Sequence, residues 1–159
     1  MKTAKNPDSQ FIHRNTNQGL KMKDSNALRL ELDQYYGGDT PYRHSLVRSF
    51  FYTSGVRYFL QHAGNGAYWF VDIIATEPQI RHAVNKEGFC ICVLKVSNGA
   101  GMIAVANDYS EGHESELVGI HFTRAIHNTD CPEGIWKFYL EPTEVGPTRG
   151  IMMMLPGER

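Results

Sequence analysis

One carboxylate of this sequence has only apolar neighbours. Asp72 is the single charged residue in a run that otherwise holds tyrosine, tryptophan, phenylalanine, valine, isoleucine and alanine. An ionised carboxylate buried among such side chains is costly, so it protonates or acquires a cation and hydrogen-bond donors. Arg43, His44 and the hydroxyls of Tyr42 and Tyr52 are chemically suitable partners.

Two interpretations of Asp72 follow from this chemistry. In the first, Asp72 orients His44 in an acid/base site that also uses Arg43, which would make the protein a small enzyme. In the second, Asp72 forms a structural bridge that ties the segment around His44 to a central helix, and we favour this one. Buried ionic links often fix one arrangement of the chain, and removal of one partner costs about 3–5 kcal/mol. Tyr42, Tyr52 and Trp69 are the further candidates for structural or binding roles.

The cysteines and histidines do not form a metal-binding pattern. Cys90 and Cys92 are two residues apart on a predicted strand and share one face, whereas a zinc site needs wider spacing in a turn and two further ligands. We therefore expect both to be small buried residues. The seven histidines form no HExxH motif and no pair at helical spacing. We expect neither a metal nor a cofactor.

Composition indicates a folded domain preceded by a polar segment. The chain has 159 residues, is 42% hydrophobic and carries a formal net charge of −1. Residues 1–23 hold five basic residues against one acidic residue, a net charge of +4, which leaves −5 for the remainder. We predict a flexible basic arm over residues 1–23 and a single domain over residues 24–159. The three cysteines, an odd number, fit a reducing cytoplasm, and no apolar run is long enough for a membrane span.

The first half of the domain predicts helices. Asp24 or Ser25 can begin a helix that ends at Gly37–Gly38, and Thr53 can cap the next helix, which ends at Gly64. Residues 67–76 form a third helix that is apolar nearly all round and belongs in the core. The pattern Thr76-Glu77-Pro78-Gln79 predicts the start of a fourth helix.

After Gly88 the pattern becomes that of strands. Five short runs rich in β-branched and aromatic residues are separated by turn residues, with no helical pattern between them: 89–96, 102–106, 117–122, 135–140 and 151–155. The sequence therefore predicts an α+β fold, with N-terminal helices packed on one face of a mainly antiparallel sheet of about four to five strands. Lys137, Tyr139 and Glu141 should lie on the exposed face of that sheet.

Three segments resemble a family of small bacterial, plasmid and phage proteins that is classed as a domain of unknown function. They are Tyr42-Arg43-His44, the helix start YTSGVRYF at 52–59, and the helix AYWFVDIIA at 67–75. The resemblance extends from Leu28 to the end of the chain and implies no activity. It does imply, by analogy, a role in the biology of mobile elements, such as modulation of a host system.

These observations favour a non-enzymatic, regulatory protein-binding module over an enzyme. The partner we expect is a protein, and a homodimer could form through the exposed sheet face or through an edge strand at residues 151–155. Contact with nucleic acid through the basic arm is a third hypothesis, which we do not favour because lysine-rich termini are usually just solvated. We expect no contact with a membrane.

Overall fold

The computed structural model describes residues 24–37 and 40–159, without the side chain of Glu114. The predicted arm of residues 1–23 lies outside the described residues. So does Gly38, the second glycine of the predicted helix stop.

Four helices precede the long strands, as the sequence predicts. They are α1 Ser25–Leu32, α2 Ser54–His62, α3 Tyr68–Thr76 and α4 Pro78–Glu87. The Asp24 side chain accepts a hydrogen bond from the backbone of Ala27, and Thr53 accepts one from Val56, so both predicted caps are present. Helix α1 ends at Leu32, before the predicted glycine stop, because the chain tightens into i to i+3 hydrogen bonds at Gln34 and Tyr35.

Helix α4 begins one residue later than the capping-box pattern suggests. Thr76 is the last residue of α3, and its hydroxyl donates to the carbonyl oxygen of Asp72 at 2.6 Å. The cap of α4 is Glu77, whose side chain accepts from the backbone of Gln79, with Pro78 in the first turn. Gly88 ends the helix in the left-handed region at φ 76°.

The helices pack on a sheet of seven strands. The strands are β1 Tyr42–Arg43, β2 Phe50–Tyr52, β3 Cys90–Ser97, β4 Ala100–Ser110, β5 His113–Ile126, β6 Gly134–Val145 and β7 Thr148–Met154. Their order in the sheet is β1-β2-β7-β6-β3-β4-β5. Neighbours are antiparallel except β2 and β7, which are parallel. A short 3₁₀ helix, Pro156–Glu158, follows β7.

The prediction of about four to five mainly antiparallel strands was wrong. All five predicted runs occur as strands, but β1 and β2 extend the sheet to seven and make it mixed. With two and three residues, these strands are too short to show an alternating pattern, and all three residues of β2 are buried. The partner of β2 is β7, about a hundred residues later, so no local sequence pattern predicts that these two strands pair.

Strand β7 is not an edge, contrary to the expectation for residues 151–155. It lies between β2 and β6, so the edge strands of the described sheet are β1 and β5. The close approach of β7 to the chain before β2 depends on Gly150, because a Cβ there would overlap the carbonyl oxygen of Ser49. That same oxygen accepts a hydrogen bond from the backbone of Ile151 at 2.9 Å.

The outer face of the sheet is more covered than predicted. Trp136, Phe138 and Leu140 are buried on the helix side as expected, but the alternating residues of β6 are half-buried rather than exposed. The far end of the β4–β5 hairpin extends past β3, and the ring of Tyr109 lies 4.9 Å from the Lys137 ammonium. The hairpin therefore curls over the face that a flat sheet would leave open.

Among the helices that the structure describes, none combines the length and apolar character needed to cross a membrane.

Candidate functional site

His44 and Asp72 lie in contact, 2.7 Å apart between Nε2 and Oδ1. His44 directly follows β1 and is 3% exposed, whereas the Asp72 side chain is 53% exposed. The expected partnership is therefore present, but the expectation that Asp72 is buried was wrong. Helix α3 buries Phe70, Val71 and Ile74 and turns Asp72 to its solvent side.

The two ring nitrogens of His44 have different roles. Nδ1 accepts hydrogen bonds from the backbone N–H groups of Leu46 at 3.2 Å and Val47 at 2.9 Å, so it carries no proton. Nε2 therefore carries the proton and donates to Asp72. With both nitrogens engaged and the ring buried, His44 holds a loop in place and has no free position from which to exchange a proton with a substrate.

Arg43 does not join this pair. Its Nη1 donates to the carbonyl oxygen of Arg48 at 3.1 Å, and its guanidinium lies 4.9 Å from the ring centre of Phe51. Adjacent residues of a strand point to opposite sides, which separates Arg43 from the buried His44. Of the three residues proposed for an acid/base site, the structure thus brings together His44 and Asp72 but not Arg43.

A cluster of tyrosines adjoins the His44–Asp72 contact. Tyr42 stacks on Tyr52 with ring centres 5.9 Å apart, and the Arg57 guanidinium lies 4.4 Å from the ring centre of Tyr42. A hydrogen bond with Tyr42 raises the pKa of Arg57, and Tyr68 contributes in the same direction. Burial raises the pKa of the Tyr52 phenol, and neighbouring Tyr68 adds to the effect.

We call a set of five side chains the tyrosine surface: Arg57 with its partners Tyr42 and Tyr68, and Asp72 and Leu46, which are joined through hydrogen bonds to His44. Tyr68 and Asp72 are one turn apart on α3 and are both exposed. Leu46 is at the tip of the loop that His44 holds and is 76% exposed. The surface thus combines one displayed aliphatic side chain, two phenols and one charge of each sign.

Trp69, the remaining candidate, lies apart from this surface. It is half-buried against the core and lies 6.0 Å from Phe70 between ring centres. Its outer side lines a shallow cleft with Gly66, Gly99 and Asp130. Trp69 therefore serves the packing of α3 against the turns at one end of the sheet.

A cleft of about 600 Å³ lies beside the end of the same loop. Val47 and Phe50 form part of its lining, and Arg81 and Arg149 face it from α4 and β7. Neither His44 nor Asp72 lines this cleft. The His44–Asp72 pair is thus not part of the lining of this cleft.

The cysteine thiols are poorly suited to nucleophilic chemistry. All three are buried and unbridged. Burial raises the pKa of Cys90 to about 11 and raises the pKa of Cys92 and of Cys131 as well. Within the described part of the chain, no three His, Cys, Asp or Glu side chains cluster in a way that could hold a metal ion.

Among the described residues, the most deeply buried carboxylate was not predicted from the sequence. Glu158 is 5% exposed and accepts hydrogen bonds from the Thr53 hydroxyl, the Gly55 backbone at 2.8 Å and the Leu155 backbone at 2.9 Å. The carboxylate thus lies at the N-terminus of α2, where the backbone N–H groups favour an anion. No local pattern in the sequence signals this position, because Thr53 and Gly55 lie about a hundred residues before Glu158.

Comparison with known families gives one result. Residues 26–159 match the model of a family of unknown function, DUF6876. The chain belongs to this family. No curated protein and no solved structure matches the chain. Membership in DUF6876 assigns no activity, so a function has to be argued from the geometry.

Proposed function

We propose that this DUF6876 member is a non-enzymatic, regulatory module that binds a protein partner through the tyrosine surface. One observation carries the proposal. Both ring nitrogens of His44 are engaged in hydrogen bonds that hold a loop, and Leu46 at the tip of that loop is 76% exposed. A buried imidazole that fixes a displayed leucine is an arrangement for presenting a side chain, and it leaves no free base for catalysis.

The composition of the tyrosine surface supports binding to a protein. Tyrosine and arginine are enriched among the residues that dominate binding energies, because they bring large contact areas with polar tips. Here the Arg57 guanidinium packs on Tyr42 and Tyr42 packs on Tyr52, so these side chains are already ordered. Ordering before association reduces the entropic cost of binding.

The biological setting is part of the proposal. We infer a role in phage or plasmid biology inside the bacterial cytoplasm, where such a module would act on a host protein. The support is the resemblance of residues 42–44, 52–59 and 67–75 to proteins of mobile elements.

A partner-capture experiment with matched variants tests the proposal. Tagged protein is purified from its native host as wild type, as Leu46→Asp and as Leu30→Asp, and copurifying proteins are quantified by mass spectrometry. Leu30 is 68% exposed on α1 and outside the tyrosine surface, so its variant is the control for a charge on an exposed leucine. A central contact is worth about 2 kcal/mol or more, so Leu46→Asp should weaken binding roughly thirtyfold.

The expected result is a near-stoichiometric protein that the wild type and Leu30→Asp retain and Leu46→Asp loses. Equal recovery of every copurifying protein with Leu46→Asp would contradict the assignment of this surface. Circular dichroism of the three proteins shows whether the fold is retained.

A further inference from the structure

The helices leave one end of the sheet uncovered. On β6, every second residue up to Leu140 is buried beneath the helices, whereas Pro142 and Glu144, which alternate onto the same face, are exposed. The register of β7 places Ile151 opposite Pro142 and Arg149 opposite Glu144. This end of the β6–β7 hairpin therefore forms one wall of the cleft of about 600 Å³.

Helix α4 and the loop before β2 form the other walls. Arg81 and Asn85 are one turn apart on α4, and both are exposed and line the cleft. The loop contributes the half-buried Val47 and the buried Phe50. A helix, a hairpin and a loop thus enclose a volume within the range of about 300–1,000 Å³ that is typical of small-molecule sites.

Two guanidinium groups face this cleft with donors to spare. Arg81 donates from Nη2 to the carbonyl oxygen of Ala75 at 3.4 Å, which is longer than a good hydrogen bond, and no carboxylate among the described residues pairs with it. Arg149 is 89% exposed and donates from Nε to Glu144 at 2.9 Å. Because a guanidinium has five N–H donors, both arginines can still bind an anion.

The charges in the cleft favour a phosphate group. Among the described residues of the lining, Glu144 carries the one carboxylate, so with two arginines the net charge is +1. A phosphate monoester carries about −1.5 to −2 charges at pH 7 and three acceptor oxygens, and it therefore competes with Glu144 for Arg149 better than a single carboxylate does. An exposed ion pair contributes little to stability, so exchange of this partner costs little.

The rest of the lining favours an apolar group on the same ligand. Val47 and Pro142 offer partly or fully exposed apolar surface, and Phe50 and Ile151 are buried and close the cleft toward the core. Small-molecule sites commonly combine such apolar surface with a few polar groups that fix the orientation of the ligand. A phosphate attached to an apolar ring would match both parts of this lining.

We propose that this cleft binds a small phosphate monoester with an apolar ring, and that Arg81 and Arg149 contact its phosphate. The site is separate from the proposed function, because none of the five residues of the tyrosine surface lines the cleft. Leu46→Asp should therefore bind such a ligand as the wild type does.

Titration calorimetry with three probes separates the two parts of the ligand. Phenyl phosphate has both the phosphate and the ring, inorganic phosphate lacks the ring, and phenol lacks the phosphate. Phenyl phosphate should bind at one site per chain, about tenfold more tightly than inorganic phosphate, because its ring buries apolar surface. Phenol should show no measurable binding, and phenol that binds as tightly as phenyl phosphate would contradict the role of the arginines.

Two substitutions within one ion pair should have opposite effects. Arg149→Gln should weaken the binding of phenyl phosphate about tenfold, as should Arg81→Gln, because each removes charged donors. Glu144→Gln removes the competing charge and should tighten binding by up to about fivefold. Arg159 and Glu141 form an ion pair outside the cleft, so Arg159→Gln and Glu141→Gln are the matched controls and should bind as the wild type does.

Four results would each overturn the proposal. They are no saturable binding of phenyl phosphate, unchanged binding by Arg81→Gln and Arg149→Gln, weaker binding by Glu144→Gln, and tighter binding of a phosphoserine peptide than of phenyl phosphate. The last result would assign the cleft to a protein ligand. The three substituted side chains of the cleft are exposed, so the variants should fold, which circular dichroism checks.

Discussion

Two carboxylates in this protein have opposite relations to their sequence surroundings. Asp72 lies in an apolar helix yet is 53% exposed, with one side-chain partner, His44. Glu158 lies between Gly157 and the charged Arg159 yet is 5% exposed, with three hydrogen-bond donors. The neighbours in sequence thus predicted burial for the wrong one.

The difference shows what decides burial of a charge. Glu158 is buried because the chain returns to the N-terminus of α2, where Thr53 and the backbone of Gly55 need an acceptor. Gly55 permits this approach, since a Cβ at that position would lie 2.8 Å from the Glu158 carboxylate. Asp72 has no such cluster of donors and stays at the surface. Three hydrogen-bond donors, two of them from a segment about a hundred residues away, accompany the buried carboxylate.

The largest effect is expected for Glu158→Ala. It leaves three buried donors without their acceptor, so the free energy of unfolding should fall by about 3–5 kcal/mol. Urea denaturation measures the change, and the exposed Glu144→Ala, with an expected change within about 0.5 kcal/mol, is the control. A loss below about 1 kcal/mol would show that the Glu158 contacts are replaced by water.

His44→Ala should have the next largest effect. The backbone N–H groups of Leu46 and Val47 lose their acceptor and a small cavity forms, which together should cost about 2–3 kcal/mol. His44→Asn places an acceptor near the Nδ1 position and His44→Gln places an amide near the Nε2 position. If the loop depends on Nδ1, the Asn variant should be the more stable of the two in urea denaturation, and a more stable Gln variant would instead assign the main role to the Asp72 contact.

Asp72→Asn is expected to cost less than about 1 kcal/mol. The amide oxygen can still accept from the Nε2–H of His44, and an exposed ionic contact contributes little. A loss of 3 kcal/mol or more by the same measurement would show that Asp72, although exposed, forms a strong structural bridge to His44. The comparison with Glu158→Ala therefore measures how far the two carboxylates differ.

The fold was predictable where a pattern is local and long. The caps at Asp24 and Thr53 and the five long strands follow from hydrogen-bonding chemistry and alternation over several residues. The parallel pairing of β2 with β7 was not, because it joins a three-residue strand to one about a hundred residues away. The register shifts between β4 and β5 were not predicted either, although Gly119, an isolated glycine with φ 68° beside one of them, is typical of a bulge.

The contact between Asp72 and His44 was predictable from the sequence, but the exposure of Asp72 was not. Asp72 is a lone carboxylate in an apolar run, and this predicted its contact with a suitable partner on another segment, His44. The exposure of Asp72 was not predictable from an apolar run, because a helix nine residues long presents more than one face. The role of His44 Nδ1 depends on the backbone of the next residues turning back toward the ring, which requires the loop structure.

The smallest expected change in stability concerns Tyr52, a buried phenol on which the Asp72 charge acts. Burial, followed by Tyr68 and with a smaller contribution from Asp72, raises the pKa of Tyr52 above the ordinary value of 10.0. The unfolded chain releases the phenol proton near pH 10 while the folded protein retains it, so stability is complete below pH 10 and falls as the pH rises further.

Tyr52→Phe should remove part of this alkaline loss, which is measured as the difference in unfolding free energy between pH 8 and pH 10.5. Asp72→Asn should reduce the same loss by a smaller amount, because it removes one of the charges that oppose ionisation of the phenol. An alkaline loss that is identical in wild type and Asp72→Asn would mean that water screens Asp72 from Tyr52 completely. Asp72 would then interact with the buried side chains only through its hydrogen bond with His44.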